Sequence, residues 1–177
     1  MPHIYFAGPD IFRKDYSDIK RQIKDLCKST PIIPLIPGDD GITKKPKDKA
    51  GKRDLAREIY NINLEHIQKA DGVIANLSPF RGVIEPDSGT AFEVGYAAGL
   101  GKWVVGYLSD LRDLTLKIKD SPLKPLRGGL TDLNGVKVED MGYPVNLMLA
   151  CACSKLVRSL EEAVGIVLKG LKVGSML

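Results

Sequence analysis

The chain has 177 residues, 44% hydrophobic and 27% charged, enough for one well-buried domain and too few for two comfortable ones. The formal net charge of +4 is concentrated in one segment, 38–53, and is a weak pointer to anionic partners. No apolar run approaches a membrane span, and MPHIYFAGPD lacks a basic region followed by an apolar signal core, so one cytoplasmic domain over 1–177 is expected.

His3 to Ala7 reads as a short buried strand, ended by the turn signal Gly8-Pro9. Asp15 to Cys27 carries Tyr16, Ile19, Ile23 and Leu26 at helical spacing. Pro31 to Ile36 is a second apolar run, made imperfect by Pro34. Gly38 to Arg53 shows neither period. It is read as a solvated basic loop, or more sharply as a lid over an anionic or nucleoside-like ligand. Nucleic acid is disfavoured there because no aromatic residues interleave the charges.

Asp54 to Ala70 returns to helical spacing through Leu55, Ile59, Ile62 and Ile67, and DGVIANL (71–77) is a compact apolar strand. SPFRGVIEPDSGTAFEVGYAAGLGK (78–102) follows as a loop and then a helix from about Gly89 to Leu100, with Asp87 or Ser88 as its cap and Gly101 as its stop. Lys102 to Tyr107 is a strand, and Ser109 to Lys119 can form a short helix. Ser121 to Gly142 is turn-rich, and Pro144 to Leu149 opens an apolar segment. The last strand is expected within Cys151 to Val157. Ser159-Leu160-Glu161-Glu162, a capping-box pattern, starts a helix to about Lys169. Alternating strands and helices predict an α/β parallel sheet, doubly wound with helices on both faces. Ligands bind beyond the carboxyl ends of such strands. Gly8-Pro9, the loop after Ile36 and the 78–93 junction all fall on that edge.

The chemistry is narrowed by elimination. Cys27, Cys151 and Cys153 form no C-x-x-C pair and read as reduced structural thiols. His3 and His66 fit no zinc pattern, so no metal site is expected, and no G-x-S-x-G, G-x-G-x-x-G or phosphate-loop sequence is present. Carboxylates remain. Asp87 and Glu93 could divide labour at a bond to a sugar, one attacking the anomeric carbon and the other handling the leaving group's proton. Tyr5 could donate a hydrogen bond to the nucleophile. On spacing alone a helix cap for Asp87 and a solvated helix residue for Glu93 are the favoured explanation of the two acids.

IYFAGP (4–9), ADGVIANLSPFRG (70–82), EPDSGTAFEVGYA (85–97) and GYPVNLML (142–149) together resemble the nucleoside 2-deoxyribosyltransferase family, in family order. The resemblance implies a flavodoxin-like five-stranded parallel sheet and transfer of 2'-deoxyribose between the nucleobases of 2'-deoxynucleosides, with no cofactor. It makes Glu93 the nucleophile toward C1', Asp87 the acid on the base side and Tyr5 the residue that positions the nucleophile. On the substrate side it places Gly8, Asn63, Asn76, Gly89 and Asn146. Asn63 stands where some members have an aspartate, and Asn146 matches an asparagine reaching the sugar 5'-hydroxyl in a neighbouring subunit. A homo-oligomer with shared sites is therefore implied, with 2'-deoxynucleosides and free bases as partners and no nucleic acid or membrane.

Asn76 stands where close relatives often show aspartate, and one extra residue lies between Gly82 and Glu85, so purine against pyrimidine preference stays open. Glu93 is expected to be ionised at neutral pH, helped by a location near a helix N-terminus. Two alternatives are a 2'-deoxynucleoside 5'-monophosphate N-glycosidase and a non-catalytic nucleotide-sensing module. Asp10 in place of a serine in GPDIF, and Asn146, argue against a phosphate.

Overall fold

The computed structural model describes residues 1–39, 46, 48–82, 84–124 and 130–174, with 171–174 as backbone only. Five strands form one sheet in the order β2-β1-β3-β4-β5: β1 His3–Ala7, β2 Ile33–Leu35, β3 Gly72–Asn76, β4 Trp103–Tyr107 and β5 Lys155–Val157. All pairings are parallel. The helices are α1 Tyr16–Lys28, α2 Lys49–Lys69, α3 Ser88–Gly99, α4 Leu114–Lys119, α5 Leu147–Ala152 and α6 Leu160–Gly174. The expected doubly wound, flavodoxin-like order is present, with its switch between β1 and β3.

Strand alternation divides the core. Tyr5, Ala7, Val73, Ala75 and Val104 face Ile67 of α2, Val94 and Ala97 of α3, and Leu149 of α5. Ile4, Phe6, Ile74, Val105 and Val157 face Ile23 and Cys27 of α1 and Ala163, Val164 and Val167 of α6. Successive side chains point to opposite faces, so both sets come from the same short runs. Gly106 in β4 is fixed by packing. A Cβ there would stand 2.7 Å from Leu77 Cδ1 and 2.8 Å from Leu156 Cδ2.

Several boundaries differ from those read in the sequence. The polar segment 38–53 is not all loop, because α2 begins at Lys49, where Asp48 caps it by accepting the Gly51 N–H at 2.7 Å. Residues 49, 50, 52 and 53 are exposed, so no apolar period marks this first turn. Positions 40–45 and 47 of the suggested lid lie outside the described residues. Pro34 is accommodated because β2 is an edge strand of three residues. The apolar segment from Pro144 becomes a helix, α5, capped by Asn146. The helix expected from Ser109 forms only from Leu114.

The α3 terminus ends as expected. Gly101 has φ +70°, its N–H bonds Ala98 O at 2.9 Å, and Lys102 N–H bonds Ala97 O at 2.9 Å, a Schellman closure. Ser159 and Glu162 do form a cap for α6, with Glu162 reaching the Arg158 N–H at 3.0 Å. Among the described residues no helix is long and apolar enough to cross a membrane. Of the three cysteines, Cys27 and Cys153 are buried, as structural thiols would be, whereas Cys151 is exposed.

Candidate active site

The site is assembled where α3 crosses the carboxyl end of β1. Thr90, Val94 and Ala97 turn α3 toward the sheet, which carries Glu93 to the strand residue Tyr5. Tyr5 is fully buried, and its hydroxyl donates to Glu93 Oε1 at 2.6 Å. Asn63, on α2, brings its Nδ2 to the same oxygen at 3.4 Å, a long contact. Three segments far apart in sequence thus meet on one carboxylate oxygen. Glu93 Oε2 has no hydrogen-bond partner among the described residues.

Asp87 is the N-cap of α3. Its Oδ2 accepts from the Thr90 N–H at 2.9 Å and from Thr90 Oγ1 at 3.2 Å. The cap reading is therefore correct, and it does not exhaust the side chain. Both bonds fall on Oδ2, which leaves Oδ1 without a partner among the described residues. Gly89 serves this geometry, because a Cβ there would lie 2.9 Å from Asp87 Oδ2.

Burial pushes the Glu93 carboxyl up to about 7; the Tyr5 hydrogen bond pulls it down, and the negative Asp87 pushes it further up. The expectation of a fully ionised Glu93 at neutral pH is corrected here. Glu93 lies six positions after the cap, past the first turn where a helix terminus acts on charge, and desolvation dominates.

The remaining predicted residues lie elsewhere. Asn76 follows the parity of Ile74, on the α1/α6 face, away from the face that holds Tyr5. Its Nδ2 lies 3.0 Å from both Asp10 carboxylate oxygens, and its Oδ1 accepts the Ser78 N–H at 3.0 Å. Gly8 makes room for that pair, since a Cβ there would stand 2.9 Å from Asn76 Cβ and from Asp10 Oδ2. Asn146 makes no hydrogen bond to Tyr5, Asn63 or Glu93. It borders a groove of about 440 Å³ between α3 and α5, with Ala91, Gly95 and Met148. Its amide is held by Glu139, whose Oε1 accepts Asn146 Nδ2 at 2.7 Å.

Asp10, read in the sequence only as an argument against a phosphate, lies in the 3-10 turn Pro9–Phe12. Glu139 was not singled out from the sequence, and it lies outside regular helices and strands, where no periodicity marks a side chain's direction.

The sequence profile of the nucleoside 2-deoxyribosyltransferase family matches residues 4–148. The chain belongs to the nucleoside 2-deoxyribosyltransferase family. Among solved structures, the 2-desoxiribosyltransferase from Leishmania mexicana is 35% identical, with a TM-score of 0.77, covering 96% of this chain and 98% of that one. A conserved protein from Enterococcus faecalis V583 shares the fold at 21% identity and a TM-score of 0.61, covering 95% of this chain and 99% of that one. An uncharacterised protein of Schizosaccharomyces pombe is 28% identical over 162 residues, 84% of this chain and 75% of that protein. The family match spans Tyr5, Asn63, Asp87, Glu93 and Asn146, so membership in the nucleoside 2-deoxyribosyltransferase family and the Tyr5–Glu93 pair concern the same stretch of chain.

Proposed function

We propose that this member of the family transfers 2'-deoxyribose between nucleobases by double displacement through Glu93. The observation that carries the reading is the Glu93 carboxylate itself, half-buried, held through Oε1 by Tyr5 and presenting Oε2. In the first half, Oε2 attacks C1', the C1'–N bond breaks, and its electron pair passes to the base nitrogen, which takes a proton from Asp87 Oδ1. In the second half, a nitrogen of the incoming base attacks C1', the glycosyl ester breaks, and Asp87 takes the proton back. Two inversions at C1' give net retention. A sugar without a 2'-hydroxyl reacts more readily, because that electron-withdrawing group disfavours the oxocarbenium-like transition state. Water in place of the second base would hydrolyse the same intermediate, an N-glycosidase side activity.

The test is incubation with 2'-deoxyinosine and free adenine, reading 2'-deoxyadenosine by chromatography. Hypoxanthine release without any 2'-deoxyadenosine would sink the transferase reading.

Asp87→Asn isolates the proton. Asparagine caps a helix as well as aspartate does, so the melting temperature is expected to stay near wild type while transfer falls roughly 10²–10⁴-fold. A 2-deoxyriboside with a nitrophenolate leaving group needs no proton and should lose far less. Equal losses on both substrates would remove Asp87 from proton transfer.

A second copy of the chain would complete the site. Asn146 is not joined to its own Glu93, while Tyr60, Phe92 and Met148 are exposed at 43%, 49% and 72%. Aromatic contacts of 5.9 Å between Tyr60 and Phe92 and 6.2 Å between Phe92 and Tyr96 make one apolar surface across α2 and α3. Light scattering should return a multiple of the 19.3 kDa chain mass; a fully active monomer contradicts the shared site.

A further inference from the structure

We propose that Glu139 sets the substrate class of this site, by fixing the Asn146 amide as a donor and opposing a phosphate at the sugar 5' position. The inference rests on the proposed function, in which Asn146 of one subunit meets the 5' end of the sugar held by another.

The amide has one orientation. Asn146 Oδ1 is occupied, accepting the Met148 N–H at 3.0 Å. Nδ2 donates to Glu139 Oε1 at 2.7 Å, and the other carboxylate oxygen accepts the Leu147 N–H at 2.8 Å. A flipped amide would set its oxygen against the carboxylate and its NH₂ against the Met148 N–H. The segment beneath is tied down as well: Leu114 N–H bonds Tyr143 O at 2.8 Å, and the buried Lys117 ammonium donates to the Pro144 carbonyl.

One N–H of Asn146 and the unused lone pairs of Glu139 remain at a groove of about 250 Å³ that both residues line. A donor beside a carboxylate acceptor matches a hydroxyl, which both accepts and donates. A phosphate at the same position only accepts, and it would bring negative charge against Glu139. Glu85, on the same groove and half-buried, adds to that repulsion when ionised. Among the described residues, Lys117 bonds the Pro144 carbonyl and its charge offsets part of that of Glu85, while Lys137 is exposed at the groove's edge, where solvent screens it. Glu139 is thus a positioning residue for Asn146 and a selector against 5'-monophosphates.

The experiment compares 2'-deoxyinosine with 2'-deoxyinosine 5'-monophosphate as donors to adenine. Wild type is expected to prefer the nucleoside by roughly 100-fold or more in kcat/KM, since like charges brought together at a binding surface are strongly excluded. Glu139→Gln should reduce that preference by at least about tenfold, with the loss on the nucleoside mainly in KM. Glu139→Asp, which keeps the charge, should retain the preference while KM rises. An unchanged preference in a folded Glu139→Gln protein overturns the proposal and leaves the transferase reading intact. Should that variant not fold, competition on wild type decides. A 5'-monophosphate that inhibits as tightly as the nucleoside binds overturns the proposal, and one that inhibits at least tenfold more weakly supports it. Absence of exchange with either donor in wild type removes the proposed function, and the role of Glu139 with it.

Discussion

Glu93→Gln should abolish sugar transfer, with kcat reduced at least about 10⁴-fold, the scale seen when a covalent nucleophile is removed. The same variant should be more stable than wild type in mild alkali. The folded carboxyl titrates near 7 instead of 4.5, so the folded state holds this proton more tightly than the unfolded chain. Stability therefore falls as pH rises from the ordinary carboxyl value through 7, and the loss is complete above it. Glutamine carries no charge to bury. Thermal or urea melts should show no such decline for Glu93→Gln, with a gain over wild type of up to about 3 kcal/mol at pH 8 that shrinks toward pH 5. A variant that keeps transfer near wild type sinks the nucleophile assignment. A variant that loses transfer but is less stable at pH 8 than wild type sinks the account of its burial.

Tyr5→Phe is expected to move the pH profile and slow the reaction together. In the proposed mechanism the productive form has Glu93 ionised and a proton on Asp87, so the pair must carry one proton between them. That proton is lost near pH 7, and kcat/KM should fall about tenfold per pH unit above it. The Tyr5 hydroxyl stabilises the charged Glu93 at 2.6 Å. Without it Glu93 holds the proton to higher pH, and the alkaline limb moves upward. The form with its charge on Glu93 also becomes rarer, and the rate on the acid side drops by about 10–100-fold, the range for one hydrogen bond to a charged group. Initial rates from pH 5 to 9 would read both effects. A rate loss with an unmoved alkaline limb would mean that Tyr5 acts only by filling space in the core.

Exposed aromatic surface and the engaged Asn146 amide lead to the same view of the site. In the proposed shared site one chain supplies two separate parts: Tyr5, Asn63, Asp87 and Glu93 on one side, and Asn146 with Glu139 on the α5 side. The Asn146 amide is fixed by two hydrogen bonds, and its partner Glu139 by a third to the Leu147 N–H, before any substrate arrives, which lowers the ordering cost of binding.

The sequence by itself determined the parallel α/β order and the family. Short apolar runs with turn signals behind them require buried parallel strands, and the motifs from IYFAGP to GYPVNLML lie in family order. It also drew attention to Asp87 and Glu93, because both sit in one motif. The ionisation of Glu93 needed the tertiary structure, since desolvation depends on what packs around a side chain and not on its neighbours in the chain. The two uses of Asp87 emerged in the same way, one oxygen capping α3 and the other left open. Asn76 was drawn to the substrate side by its motif, and strand parity put it on the opposite face of the sheet, paired with Asp10. Glu139 left no signal in the chain. Its position comes from an irregular segment turning onto the start of α5 seven and eight residues on, a contact that no helix or strand period encodes.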